Sequence, residues 1–395
     1  MRGSWRGWAI GFLLLWCTPV EVQGTAGGGQ AGIPPADSHS SVEPEDMAGT
    51  VDGLLGELDL GEIQEAVDIY LQNDTLSVSE LLRKLMGGEI SLEDLDWKEI
   101  CLTVAGQGLG GQRVMLGKLL FLILLSAVFS VMADVFAEER IGETGFYILY
   151  LLLLAFFLFY FGRTGSEVED ILLGVSGFMK AAAPAYYLAV LTAGGATTAG
   201  LFYQLLLLLL LIVQSVIVRL LLPGVQIYVL LNLVNQIPKE DFLSRLADLI
   251  RTCIQWSMRT MIAAVTGLQI LRNMLGPALD SLHRSAIGKT AGAIPGIGNV
   301  INATTEILLA SAVLIRNCLG VAVLLILLWG CLAPVARMAV RTLVFKMLGA
   351  FCQPIADERI VGCLGTVADG YGMYLHMVLG TMVMFLLSVA VLAGT

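Results

Sequence analysis

Charge is scarce in this chain. Asp, Glu, Lys and Arg together supply only 14% of its 395 residues, where ordinary soluble domains carry roughly 25%. Hydrophobic residues make up 56% and the mean hydropathy is +0.80. The charge that is missing is missing from long apolar runs, which excludes an ordinary soluble domain and points to segments facing lipid.

The residues that carry most enzyme chemistry are also thin. There are three histidines: His39 lies in a small-residue stretch, and His283 and His376 are isolated. HExxH, GxSxG and Walker-lysine patterns are all missing, so no motif argues for a zinc protease, an esterase or a nucleotide hydrolase. No catalytic residue, cofactor or metal is expected, and the chain reads as a non-enzyme. Of seven cysteines, Cys17 lies in the N-terminal apolar run and Cys101 stands alone before the membrane segments. Cys253, Cys318, Cys331, Cys352 and Cys363 fall in or beside apolar stretches without CxxC spacing. That excludes a disulfide framework and a zinc knuckle, and leaves buried small apolar residues. Gly106-Gln107-Gly108-Leu109-Gly110-Gly111 has glycine spacing reminiscent of a nucleotide loop. It follows helical sequence and runs into a membrane segment, without the strand–turn–helix context of such a loop, and reads as a hinge at the membrane surface.

Four regions follow from what is present. Residues 1–24 read as a cleaved secretory signal, with Arg2 and Arg6 ahead of the apolar run Trp8 to Cys17 and a cleavage site near Val22-Gln23-Gly24. Trp16 fits a lipobox poorly, so Cys17 is not expected to be lipidated. Residues 25–46 are rich in Gly, Ala, Pro and Ser and read as a flexible tether. Residues 47–113 read as a small exported helical domain. Leu54, Leu55, Leu58, Ile63, Ala66, Val67 and Tyr70 recur largely at spacings of three and four. Ser77-Val78-Ser79-Glu80 can cap a second helix, Gly87-Gly88 stops it, and a third opens near Ser91. Between Thr25 and Arg113 there are 17 acidic residues against four basic ones, a balance that repels nucleic acid. Residues 114–395 read as an all-α membrane domain of about six to eight helices, some of them amphipathic.

Within that domain the apolar segments run Leu119 to Phe136, Phe146 to Phe161, Ala181 to Thr192, Leu201 to Leu222, Gly224 to Ile237, Ile307 to Leu332 and Met373 to Ala393. Glu167 to Lys180, Lys239 to Leu275 and Ala336 to Phe351 are amphipathic. An export signal puts the acidic domain outside and sends the first span inward, although the loop Ala137 to Gly145 is not basic, as a cytoplasmic loop should be. Arg259, Arg272, Arg316, Arg337 and Arg341 are the candidates for lining a conduit or a subunit interface. Asp134 and Arg219 are better placed as helix-end residues reaching for headgroups, and Arg316 suits both roles. Gly194, Gly195, Gly292, Pro295, Gly296 and Gly298 are candidate helix breaks, lining a cavity or simply forming loops. Thr366-Val367-Ala368-Asp369-Gly370-Tyr371-Gly372 departs from a potassium filter at Ala368-Asp369 and reads as a flexible entry to the last span.

Several of these stretches occur in an order that resembles one family. They are the small-residue break Leu191 to Gly200 with the Leu/Ile/Val run behind it, Ala293-Ile294-Pro295-Gly296-Ile297-Gly298 leading into Glu306 to Asn317, and Gln353 to Val361 before the last span. From about Gly53 to the C-terminus the chain resembles the stage III sporulation protein AE family of endospore-forming Firmicutes; the tether has no counterpart. The resemblance implies a multi-pass protein of the mother-cell membrane around the forespore, part of a channel or secretion-like complex. A secretion-type ATPase and ring-forming proteins would be its partners, and any ATP hydrolysis would be theirs. The alternative is a stand-alone secondary transporter with a midplane site, for which internal inverted repeats would speak; none is evident. An intramembrane enzyme would need clustered catalytic side chains.

Overall fold

The computed structural model describes residues 60–71, 77–86, 113–135, 139–192, 197–237, 243–291 and 298–393. Chain contacts separate Met1–Glu43 from Pro44–Thr395, and all the described residues belong to the second unit. The signal, the tether, Leu54 to Leu58, Gly87-Gly88, the helix expected at Ser91 and the glycine hinge lie outside them. Among the described residues every regular element is helical. In chain order they are α1 (Leu60–Leu71), α2 (Val78–Met86), α3 (Arg113–Val135), α4 (Glu139–Thr192), α5 (Thr197–Val216), a π-turn (Ile217–Leu221), α6 (Leu222–Asn235), α7 (Ser244–Ala291), α8 (Gly298–Cys352) and α9 (Glu358–Ala393).

The helices are longer than the apolar segments of the sequence. Phe146 to Phe161, Glu167 to Lys180 and Ala181 to Thr192 are one 54-residue helix, α4. Ile307 to Leu332 and Ala336 to Phe351 are one 55-residue helix, α8. At 1.5 Å per residue each is roughly 80 Å long, against a hydrocarbon layer of about 30 Å. Four stretches are long and apolar enough to cross a membrane: Tyr147–Ala189, Gln204–Asn235, Ala310–Cys352 and Glu358–Ala390. The apolar part of α3, Val114–Val128, is shorter. Among the described residues the apolar and amphipathic segments of the sequence thus merge into longer helices, because charged and small residues mark helix faces here instead of helix ends.

Proline shapes these helices without ending them. The backbone slips to an i→i−5 bond at Leu222, whose N–H donates to the Ile217 carbonyl. The next residue, Pro223, has no N–H to offer, and the π-turn absorbs the lost bond. Pro184 and Pro334 lie inside α4 and α8, depriving the carbonyls of Lys180 and Gly330 of their usual donors. Caps close the tight connections. Asp357 Oδ1 accepts from Arg359 N at 2.9 Å ahead of α9, and Asn235 Oδ1 accepts from Leu243 N at 2.9 Å between α6 and α7. Ser77 Oγ accepts from Glu80 N at 3.4 Å at the start of α2.

Side-chain contacts fix the directions. Tyr150 OH donates to the Leu233 carbonyl at 3.0 Å and Gln214 Nε2 to the Leu172 carbonyl at 2.7 Å. α5 and α6 therefore run against α4. Phe157 meets Phe345, so α8 also runs against α4. Tyr150 touches Cys363 while Phe161 packs on Tyr371 and Tyr374, so α9 runs with α4. Gln269 donates to Ser388 Oγ at 3.0 Å while Arg251 pairs with Asp369, so α7 runs with α9. Thr192, Thr197, Ala291, Gly298 and Ala393 accordingly gather at one end of the bundle, and the turns after Asn235 and Cys352 at the other.

Glycines let these helices approach. A Cβ on Gly370 would collide with Phe161 and Val229, and one on Gly165 with Gln226 and Tyr374. The stretch Thr366 to Gly372 is thus not a flexible entry. It is interior helix, with Val367, Ala368 and Tyr371 buried. Gly370→Ala should lower stability by about 1–3 kcal/mol through overpacking, read as reversible unfolding in detergent. Gly365→Ala, with open space around the new methyl, should be neutral or slightly stabilising.

Candidate functional site

The arginines named from the sequence divide into groups. Arg337 and Arg341 lie one turn apart on α8, just past Pro334, and both face Glu167 of α4. Arg341 Nη1 donates to Glu167 Oε2 at 2.6 Å, and Arg337 Nη1 stands 4.0 Å from Oε1. Arg341 also reaches Thr164 Oγ1 at 3.4 Å, and the Tyr371 hydroxyl meets the same Thr164. The Arg341 side chain is 16% exposed, Glu167 31% and Arg337 41%. The inner pair is therefore the tight one, and the outer arginine adds a positive charge at the rim. Hydropathy passed over Glu167, which looked like one acid of an amphipathic stretch. Its position four residues after Arg163 and three after Thr164 was the available signal.

Arg272 and Arg316 form a second group. Arg272 is buried on α7, and the fields of both guanidiniums act on the buried Tyr186 hydroxyl of α4. Arg316 Nη2 donates to Asn317 Oδ1 at 3.4 Å. Arg259 is exposed on α7, and Arg219 is exposed on the π-turn. Asp134 belongs to α3, and its side chain is outside the described set. Gly194, Gly195, Gly292, Pro295 and Gly296 also lie outside the described residues, while Gly298 opens α8. The helix ends on either side of these segments share one end of the bundle. Among the described residues no group of three His, Cys, Asp or Glu could hold a metal ion. Arg251 of α7 pairs with Asp369 of α9 at 3.6 Å, a link that periodicity did not bring out.

The third feature is a seat for Tyr70. α1 and α2 pack on α4 and α8 through Ile63, Val67, Val78 and Leu82, all buried. The Tyr70 ring stacks on Phe178 with centroids 5.6 Å apart and planes at 11°. Its hydroxyl donates to the Leu327 carbonyl at 3.3 Å and lies 2.6 Å from Cys331 Sγ. Gly330 makes room for the ring, which a Cβ there would overlap. Burial, then the adjacent Cys331 thiol, hold the Tyr70 hydroxyl neutral, far above the ordinary phenol range. On the outer surface of α2, Lys84 bonds Glu80 at 2.7 Å and keeps its carboxyl below the usual carboxylate range.

A double-mutant cycle separates the two arginines. Glu167→Gln with Arg341→Met should show coupling of about 1–2 kcal/mol, as expected for a charge-assisted bond partly out of water. Glu167→Gln with Arg337→Met should show at most about 0.5 kcal/mol. Equal couplings in reversible unfolding would mean that the 2.6 Å and 4.0 Å contacts are not distinct in strength.

Two comparisons place this arrangement among known proteins. The family model described as stage III sporulation protein AE matches residues 76–395. A protein of Bacillus subtilis (strain 168) named stage III sporulation protein AE is 19% identical over 313 residues, covering 79% of this chain and 78% of its own length. No solved structure matches. The match takes in every helix from α2 to α9 and both arginine groups, and the chain belongs to the stage III sporulation protein AE family.

Proposed function

We propose that this chain is a non-enzymatic core component of a channel or secretion-like complex between mother cell and forespore, needed for endospore development. Family membership and apolar helices long enough to cross a membrane make it a membrane component of sporulation; the channel role goes one step beyond that. The observation carrying the step is how the charged side chains are used. Glu167, Arg341 and Arg337 link α4 to α8, and Arg251 and Asp369 link α7 to α9. These links register neighbouring helices. None sets a nucleophile beside a base. Such a molecule acts by architecture. In this reading it resides in the mother-cell membrane around the forespore, with its N-terminal region outside the cytoplasm. It assembles with other stage III proteins, including a secretion-type ATPase and ring-forming proteins, and the energy source is theirs. Arg259, exposed on α7, and Arg337, at the rim of the α4–α8 pair, offer charge to such partners.

A fluorescent fusion expressed from its own promoter in a sporulating host tests this. Accumulation in the membrane engulfing the forespore, with stage III partners recovered on affinity purification, is the expected outcome. Uniform envelope signal in growing cells would overturn it in favour of a general transporter.

A further inference from the structure

α1 and α2 are short, 12 and 9 residues, and 26 residues separate Met86 from Arg113 in the sequence. One face of the pair is buried: Ile63, Val67 and Tyr70 of α1, then Val78 and Leu82 of α2. The opposite face of α1 carries the exposed Glu62, Glu65 and Asp68. Gln64 Oε1 accepts from Val78 N at 2.8 Å, so the two helices move as one piece. That piece is seated beside the proline of α8, on a helix that also packs along α9. Pro334 cannot donate to the Gly330 carbonyl, and proline is among the few causes of a helix bend. On one side of this point Tyr70 grips Leu327 and Cys331 and lies over Gly330. On the other side Arg341 is tied to Glu167. Both restraints join α8 to something else, and neither is intrinsic to α8. The α4 side of the seat is Gly174, where an added Cβ would reach the Tyr70 ring at 3.5 Å, and Phe178, stacked on that ring.

We propose that α1–α2 is a detachable clasp which splints the Pro334 hinge of α8, and that its release unlocks the Gly298–Pro334 half of α8 from α4. The Arg341–Glu167 bond keeps the other half in place when this happens, so α8 bends at Pro334 and does not leave the bundle. A segment placed before the first apolar helix thereby controls the spacing of two membrane helices. Tyr70 is a positioning residue in this device. The device is a property of the chain itself and stands apart from the channel reading.

The test uses the full-length protein in detergent or nanodiscs, with hydrogen–deuterium exchange and maleimide labelling resolved by peptide mass spectrometry. Cys331 is buried beside Tyr70, while Cys253 is exposed and serves as the reference. Tyr70→Ala should raise labelling of Cys331 about tenfold relative to Cys253, and should raise exchange both in 60–86 and in 326–338. Tyr70→Phe, keeping the ring, should fall between. Pro334→Ala restores the missing donor. In the double variant Tyr70→Ala with Pro334→Ala, residues 60–86 should still exchange fast while 326–338 regains protection. A variant that merely unfolds would lose protection everywhere, and proline replacement would not rescue one segment selectively. Fast exchange in 60–86 with no change in 326–338 for Tyr70→Ala would overturn the proposal, as would equal exchange in 326–338 with and without Pro334.

Discussion

The bond between Glu167 and Arg341 is the charged contact that registers α4 against α8, and the rest of the bundle is arranged around that pair of helices. α4 is the mast of the bundle: α1, α3, α5, α6, α8 and α9 all pack against it. Its sequence changes character at Gly162, from an apolar run to one containing Arg163, Glu167, Glu169 and Asp170. Burying an unpaired carboxylate costs several kcal/mol, whereas a paired and hydrogen-bonded one is tolerated. The guanidinium at 2.6 Å gives the partly buried Glu167 its counter-charge across the α4–α8 contact. The same bond aligns α8 against α4, and through the α8–α9 hairpin it sets the level at which Tyr371 and Tyr374 meet Phe161.

That constraint explains which features were legible in the sequence. The helical class and the apolar runs follow from composition and period, because lipid-facing residues need only be apolar. The buried face of α1 was legible for the same reason: Ile63, Val67 and Tyr70 keep helical spacing, and Ser77 announces the next helix. The joins between segments were not legible. Glu167, Arg337 and Arg341 read locally as amphipathic interruptions, and only the meeting of Arg341 with Glu167, 174 residues apart, shows that they join two helices. Gly370 gave the opposite false signal. A glycine beside Asp369 reads as flexibility, yet it is there because Phe161 and Val229 leave no room for a Cβ.

The five arginines named in advance illustrate the same limit. Periodicity put all of them in apolar or amphipathic surroundings, which is a one-dimensional statement. Folding sorts them by place: Arg341 and Arg337 beside a carboxylate, Arg272 and Arg316 in the neighbourhood of Tyr186, Arg259 on the exposed surface of α7. A phenol between two guanidiniums and a carboxylate between two guanidiniums are different environments. The first sits near the end of the bundle where Thr192, Gly298 and Ala393 gather, and the second sits deep along α4.

The two ends of the bundle differ in kind, and topology dictates why. α4, α7 and α9 run one way, α5–α6 and α8 the other. The connections 193–196 and 292–297, where the glycine- and proline-rich sequence is concentrated, therefore belong to one end. The opposite end is closed by turns capped through Asn235 and Asp357. Pro184 and Pro334 lie towards the end with the 193–196 and 292–297 connections, beyond the Glu167–Arg341 bond. The clasp at Tyr70 is placed there too, on the stretch of α4 and α8 that the ion pair does not hold. The seat of Tyr70 thus shares its half of the bundle with Pro184 and Pro334, on the side of the Glu167–Arg341 bond away from the capped turns, which is where a restraint supplied by α1 acts on α8.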